Sequence, residues 1–327
     1  MCCCVWPGSC TRSTQMAFQL HSDESVSKGF RRLARKELKI AREAVAKAQP
    51  PPDEAIHEAR KSVKKVRAIL QLVDNDDGTG LDRCRKRLRS VNHTLSELRD
   101  AEVMIETLAD LRKKHPHLFS EHTYARVHRD LSARKRGAQR SAERGSAWSD
   151  VVRQLRRVRR SAKGWRPTHG GADALVRGIQ AVHRQGCKAM TRALNRQRAD
   201  DFHAWRKEIK ALWYALRLVE QSDSKLRRDI RALHQAETWL GDEHNIVVLC
   251  DQISRDATIC RDSIDRDRFQ LVADREQCRL REKVVARVRR LYERRSGAYA
   301  RDVERMWKDW CRQSSRSRAR GGRRAAA

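Results

Sequence analysis

Two stretches of this 327-residue chain present the same order of titratable side chains. His57, Arg60, Lys61, Lys64 and Arg67 lie in IHEARKSVKKVR, and His203, Arg206, Lys207 and Lys210 lie in FHAWRKEIKA. Positions 57, 60, 64 and 67 are spaced 3-4-3, so on a helix they form one continuous stripe, with Lys61 beside it. Positions 203, 206 and 210 repeat that spacing, with Lys207 beside them. Cationic heads on successive turns stand about 5–6 Å apart. A row of that kind suits a linear polyanion: arginine offers planar, bidentate contacts to phosphate, and lysine supplies a point charge. Long basic side chains can also simply cover apolar surface while their heads stay in water. Recurrence of the comb in two copies, and the cost of stacking like charges on one face, favour a ligand. Neighbouring cations disfavour protonated imidazole, so His57 and His203 are expected to be neutral without ligand and to gain protons when a polyanion binds.

The same residues admit a metal reading. Glu54-x-x-His57 and Asp200-x-x-His203 resemble the ligand pairs of carboxylate di-metal bundles, with Glu97, Asp100, Glu102, Asp242 and Glu243 as facing acids. A metal cation would then sit beside Arg60, Lys61, Arg206 and Lys207, so no metal site is assigned. First-turn acids more simply favour helix N-termini. No phosphate-binding glycine loop, nucleophile elbow or His-Glu-x-x-His is found, and neither is a Glu-x-Glu-x-Lys. No catalytic residue and no cofactor is therefore assigned, and the chain reads as a binding protein rather than an enzyme.

The combs need helices to position them, and the sequence supplies them. Charged residues make up 35 % of the chain, but only 6 prolines and 15 glycines interrupt it, and good helix formers dominate. Ile56, Ala59, Val63, Val66, Leu70 and Val73 form a core stripe beside the first comb; Phe202, Trp205, Ile209, Leu212, Leu216 and Val219 do so beside the second. Eight helices are expected. The first is capped by Ser22 or Ser25 and runs to about Ala48, the second covers Asp53 to Val73, and the third Leu81 to Lys114. The fourth runs from Ser120 to Lys163 with a break near Gly145. GWRPTHGG at 164–171 marks the boundary between halves. The remaining four cover about Ala172–Arg198, Asp201–Glu220, Ser224–Ser254 and Ala257–Arg295.

The halves look like copies of one unit. Residues 56–73 align with 202–219 without gaps, with seven identities in eighteen positions, and LSELRDAEVMIETL (95–108) aligns with LGDEHNIVVLCDQI (240–253). The paired His-x-x-Arg-x-x-x-Lys motifs, together with LSELRD and LGDEHN, resemble the CHAD family, the conserved histidine α-helical domain. The resemblance spans about residues 16–300. It implies an all-α fold of two pseudo-twofold-related four-helix bundles (about 22–163 and 172–295) forming one CHAD-type domain with a basic central channel. It further implies binding of inorganic polyphosphate and recruitment to polyphosphate granules. Carried over by position, His57, Arg60, Lys64 and Arg67 match the first motif fully, and His203, Arg206 and Lys210 match the second. Trp213 replaces the last basic residue of the second copy. Arg99-Asp100 matches the family's Arg-Asp element, Arg99 as a contact and Asp100 as its structural partner; His244-Asn245 stands there in the second half.

Composition limits the classes of partner. With 73 Lys+Arg against 42 Asp+Glu, the formal charge of +31 calls for a polyanion. Nucleic acid is the alternative ligand, bound non-specifically through phosphates. No apolar run is long enough to span a membrane, no secretory signal is visible, and the ten cysteines form no Cys-x-x-Cys pair, so a reducing cytoplasm with free thiols is expected. Residues 1–15 lack a helical pattern, and Met16 is a candidate start. Residues 301–327 are read as a helix end and a disordered tail, with six arginines and no acid from Cys311 onward. Arg31, Arg35, Arg42, Arg184, Lys188 and Arg192 have the spacing either to line a groove or to form a solvated face. Trp148, Trp165, Trp239, Trp307 and Trp310 are expected to pack rather than to stack on bases.

Overall fold

The computed structural model describes residues 18–47, 51–73, 79–144, 147–167, 169–255, 260 and 262–325. All regular structure among these residues is helical: α1 (Val26–Ala46), α2 (Asp53–Val73), α3 (Thr79–Lys114), α4 (Glu121–Arg144), α5 (Ala147–Ser161), α6 (Gly171–Arg196), α7 (Ala199–Arg217), α8 (Ser224–Arg255), α9 (Ser263–Tyr292) and α10 (Ser296–Ala325), with two short 3₁₀ turns. The expected fourth helix is two helices, α4 and α5, and Gly145 lies outside the described residues. The second comb therefore rides on α7. Ser25 caps α1 by accepting a hydrogen bond from the Lys28 amide, and Asp262 caps α9 through the amides of Ile264 and Asp265, which moves the start of that helix past Ala257. Helix α10 continues to Ala325 through the segment read as a tail, and residues 1–15 and Met16 lie outside the described residues.

Helices adjacent in sequence pack on one another, α1 on α2 and α3 on α4 in the first half, α6 on α7, α7 on α8 and α8 on α9 in the second. The halves join where α2 meets α6 and α7 and where α3 meets α8. The core stripes face inward as their 3-4 spacing requires. Val63, Val66, Ile69, Trp205, Ile209 and Leu212 are fully buried in one apolar cluster that spans both halves. A second cluster joins the far ends of α3, α4, α8 and α9, where Phe119 and Phe269 stack with centroids 5.3 Å apart.

Two close approaches hold the comb helices in place. Gly178 of α6 lies against Leu72 of α2: a Cβ there would fall 2.6 Å from the leucine Cδ2 and 3.1 Å from its Cα. Any larger residue would force α2 and α6 apart, at a cost of about 1–3 kcal/mol. The Leu20 amide donates to the Leu218 carbonyl at 2.8 Å, and Phe18 packs edge-on against Tyr214, so the entry segment of the first half is fastened to the end of α7. Trp148, Trp165 and Trp307 are buried, while Trp239 and Trp310 pack against the core. No described helix is long and apolar enough to cross a membrane.

Candidate anion-binding site

Because the core stripes of α2 and α7 both point inward, the neighbouring combs turn toward one another. Lys64 and Arg67 of α2 and Lys207 and Lys210 of α7 line one cavity of about 400 Å³, with Ala68, Gln71, Ala211 and Tyr214 between them. Arg85 and Arg89 of α3 complete its wall; the comb motifs do not contain them. None of the ten lining residues is acidic.

The other comb residues are distributed around this cavity. Arg60 donates to the carbonyls of Leu95 and Ser96 at 3.2 and 3.4 Å and lies 3.6 Å from the Asp100 carboxylate. Asp100 thus faces Arg60, where the sequence pairs it with Arg99; the Arg99 side chain lies outside the described residues. Arg206 reaches across Gly241 of α8, where a Cβ would stand 2.7 Å from its Nη2, and donates to the Glu237 carbonyl at 3.3 Å and carboxylate at 2.9 Å. Lys210 pairs with the same carboxylate. Lys61 pairs with Glu58 on its own helix, 3.6 Å away. His57 is exposed and does not line the cavity, because it stands about two turns before Lys64 and the cavity lies along the C-terminal part of α2. The further basic set Arg31, Arg35, Arg42, Arg184, Lys188 and Arg192 also lies outside the cavity lining.

His203 meets His244 with ring centroids 3.9 Å apart, and its Nδ1 is buried without a hydrogen-bond partner. Burial, then His244 and the cations Lys207, Arg206 and Lys210, push the His203 imidazole down to about 3; burial and the same cations push His244 down to about 4. Both are neutral at physiological pH. Among the described residues no group of three or more His, Cys, Asp or Glu is placed to hold a metal ion.

The lysines are perturbed more consequentially. Burial, followed by repulsion from Lys210, Arg60 and Arg206, lowers Lys64 to about 7. Burial and Arg206 lower Lys210 to about 8, against the pull of Glu237. Burial and the facing Arg89 lower Arg67 as well. The free protein thus holds cations that water solvates poorly and that repel one another. An anion entering the cavity relieves both penalties.

Residues 32–254 match the CHAD domain, most of the chain and both combs. The chain belongs to the CHAD family. Among solved structures, the CHAD domain from the plant Ricinus communis superimposes with a TM-score of 0.61 and 18 % identity over 84 % of this chain and 94 % of that one. PptA from Streptomyces chartreusis gives a TM-score of 0.57 and 15 % identity over 88 % of this chain and all of that one. At such identities the likeness is one of fold. No curated relative matches the chain. Within this CHAD protein the sequence motifs located four of the cavity-lining cations and missed Arg85 and Arg89. Their i, i+4 spacing in DRCRKRLRS was the available signal, obscured by the five basic residues of that short stretch.

Proposed function

We propose that this CHAD protein binds inorganic polyphosphate without turning it over, and that binding brings it to polyphosphate granules in the cytoplasm. On this reading the two halves are pseudo-twofold-related bundles, and the cavity is part of a basic central channel into which both combs project. The observation that carries it is the meeting of Lys64 and Arg67 with Lys207 and Lys210, from opposite halves, around one cavity that Arg85 and Arg89 complete. Polyphosphate binding is a known property of the family. A linear chain of phosphates can satisfy several such cations at once, and none of the residues lining the cavity is acidic.

The deciding experiment is a competition titration at near-physiological salt, long-chain polyphosphate against duplex DNA and RNA, with the wild type and a Lys64→Ala, Lys210→Ala double variant. Polyphosphate is expected to win by orders of magnitude and to lose that advantage in the variant. Comparable affinities that survive the substitutions would overturn the reading in favour of non-specific nucleic-acid binding. Incubation of polyphosphate with the protein and Mg²⁺ or Mn²⁺ should leave the chain-length distribution unchanged.

A further inference from the structure

Glu237 projects from α8 into the cationic cluster. Its Oε1 accepts from Arg206 Nη2 at 2.9 Å and from the Lys210 ammonium, and its side chain is only 13 % exposed. Burial alone would raise this carboxyl, but Lys210, Arg206 and Lys64 more than reverse that effect, so it is ionised. The 145-residue offset that relates α8 to α3 places Asn92 at the equivalent position of the first half. There Arg60 donates to the carbonyls of Leu95 and Ser96, and the Asn92 Oδ1 is buried with no hydrogen-bond partner. At this position of the repeat one copy thus carries a largely buried carboxylate and the other a neutral amide, and the acid beside Arg60, Asp100, stands eight residues further along α3 and is exposed.

A carboxylate that accepts from both an arginine and a lysine takes the contacts a phosphate oxygen would take. We propose that Glu237 is an internal competitor for the anion site, satisfying Arg206 and Lys210 in the free protein and giving them up only to a ligand that displaces it. The inference rests on the polyphosphate reading above and adds a selection rule to it. A tethered carboxylate acts at high effective concentration, which a single small anion in solution does not match. A long phosphate chain anchored at Lys64, Arg67, Arg85 and Arg89 also presents its next phosphates at high effective concentration, and so it can displace the carboxylate. Glu237 therefore favours long chains over orthophosphate and short oligophosphates.

The test measures binding of long-chain polyphosphate, tripolyphosphate and orthophosphate to the wild type, Glu237→Gln and Asn92→Glu, with a thermal melt of each. Glu237→Gln should bind every anion more tightly, tripolyphosphate by roughly tenfold and the long chain by less, so that discrimination between them narrows. Asn92→Glu adds a second carboxylate and should weaken tripolyphosphate more than the long chain. Unchanged or weaker binding by a folded Glu237→Gln would overturn the proposal, because it would make Glu237 a positioning residue for Arg206 and Lys210. If that variant does not fold, Asn92→Glu decides, and equal affinities for Asn92→Glu and the wild type overturn it. A wild type that binds no polyphosphate removes the functional reading and this inference together; a wild type that binds it, with variants that do not shift selectivity, removes the inference alone.

Discussion

The indole of Trp213 lies on the imidazole of His234, ring centroids 4.6 Å apart and 18° from parallel. Their repeat equivalents in the first half are Arg67 and Arg89, two cations that face one another and line the cavity. At one and the same place in the repeat, one copy sets two exposed cations on the cavity wall and the other closes on an aromatic stack backed by Arg217. The candidate site is consequently lopsided: its lining takes Arg85 and Arg89 from α3 and no residue from α8.

That lopsidedness is measurable. Arg67→Ala and Arg89→Ala should each weaken polyphosphate binding by roughly tenfold, the order expected for a charge-assisted contact, with little change in melting temperature. Trp213→Ala should do the reverse, costing about 1–3 kcal/mol of stability through lost packing and leaving affinity within about twofold. Isothermal titration and thermal melts of the three variants separate the two patterns, and equal affinity losses in all three would contradict the lopsided site.

Affinity should depend on pH through Lys64 and Lys210 rather than through the histidines. The groups facing Lys64 are Arg60 on its own helix, Lys210 and Arg206 on α7, and Glu237 on α8, with a net positive balance. In the free protein Lys64, at about 7, and Lys210, at about 8, lose their protons as pH rises. A bound polyanion favours the charged forms and raises both values, so the complex holds more protons than the free protein above pH 7. Affinity should therefore fall from pH 7 to pH 9, with proton uptake on binding visible as a dependence of the calorimetric heat on buffer ionisation enthalpy. Lys64→Arg with Lys210→Arg, which keeps the charge throughout, should flatten the profile, whereas His57→Gln with His203→Gln should leave it. Loss of the trend in the histidine variant would return the effect to the imidazoles.

Gly241 tests the placement of Arg206 without touching a charge. Alanine is worth about 0.5–1 kcal/mol more than glycine within a helix, but its Cβ would stand 2.7 Å from the Arg206 Nη2. The far end of a flexible side chain moves cheaply, so the protein should remain as stable or gain slightly while Arg206 leaves its place. Gly241→Ala is expected to melt at or above the wild-type temperature and to bind polyphosphate several-fold more weakly. A fall in both would mean that the helix contact, rather than the guanidinium, is what the glycine protects.

The buried faces of α2 and α7 were legible because two periodicities coincide there: the apolar 3-4 pattern fixes which face is buried, and the basic pattern one residue along inherits its direction. Ser25, one of the two cap candidates, the break near Gly145 and the interruption of helix between α5 and α6 were legible for local reasons of capping and backbone freedom. Arg85 and Arg89 were not, since several residues of the basic opening stretch of α3 could have turned inward, and only the packing of α3 on α2 selects these. Glu237 escaped because it stands three residues before the aligned segment that begins at Leu240 and belongs to no repeated pattern. His57 carried the motif yet remains exposed, because sharing a stripe does not place a residue at the same depth along the helix.

The arginine-rich end of α10 should add affinity without adding selectivity. Its described arginines Arg312, Arg316 and Arg318 are exposed, Arg312 paired with Asp309 and Arg318 with Asp23, and no residue of α10 lines the cavity. Solvent-exposed cations attract any polyanion, with an affinity that salt screens. Duplex DNA cannot thread a cavity of this size, so its binding depends on such exposed charge, whereas on the proposed reading polyphosphate uses the half-buried lysines that screening reaches less. Deleting residues 311–327 should therefore reduce DNA binding by tenfold or more at low salt and polyphosphate binding by only a few-fold. The measurement is a salt titration of the truncated and full-length chains with each ligand. Equal losses for both ligands would place the main anion contact on α10 and not between the combs.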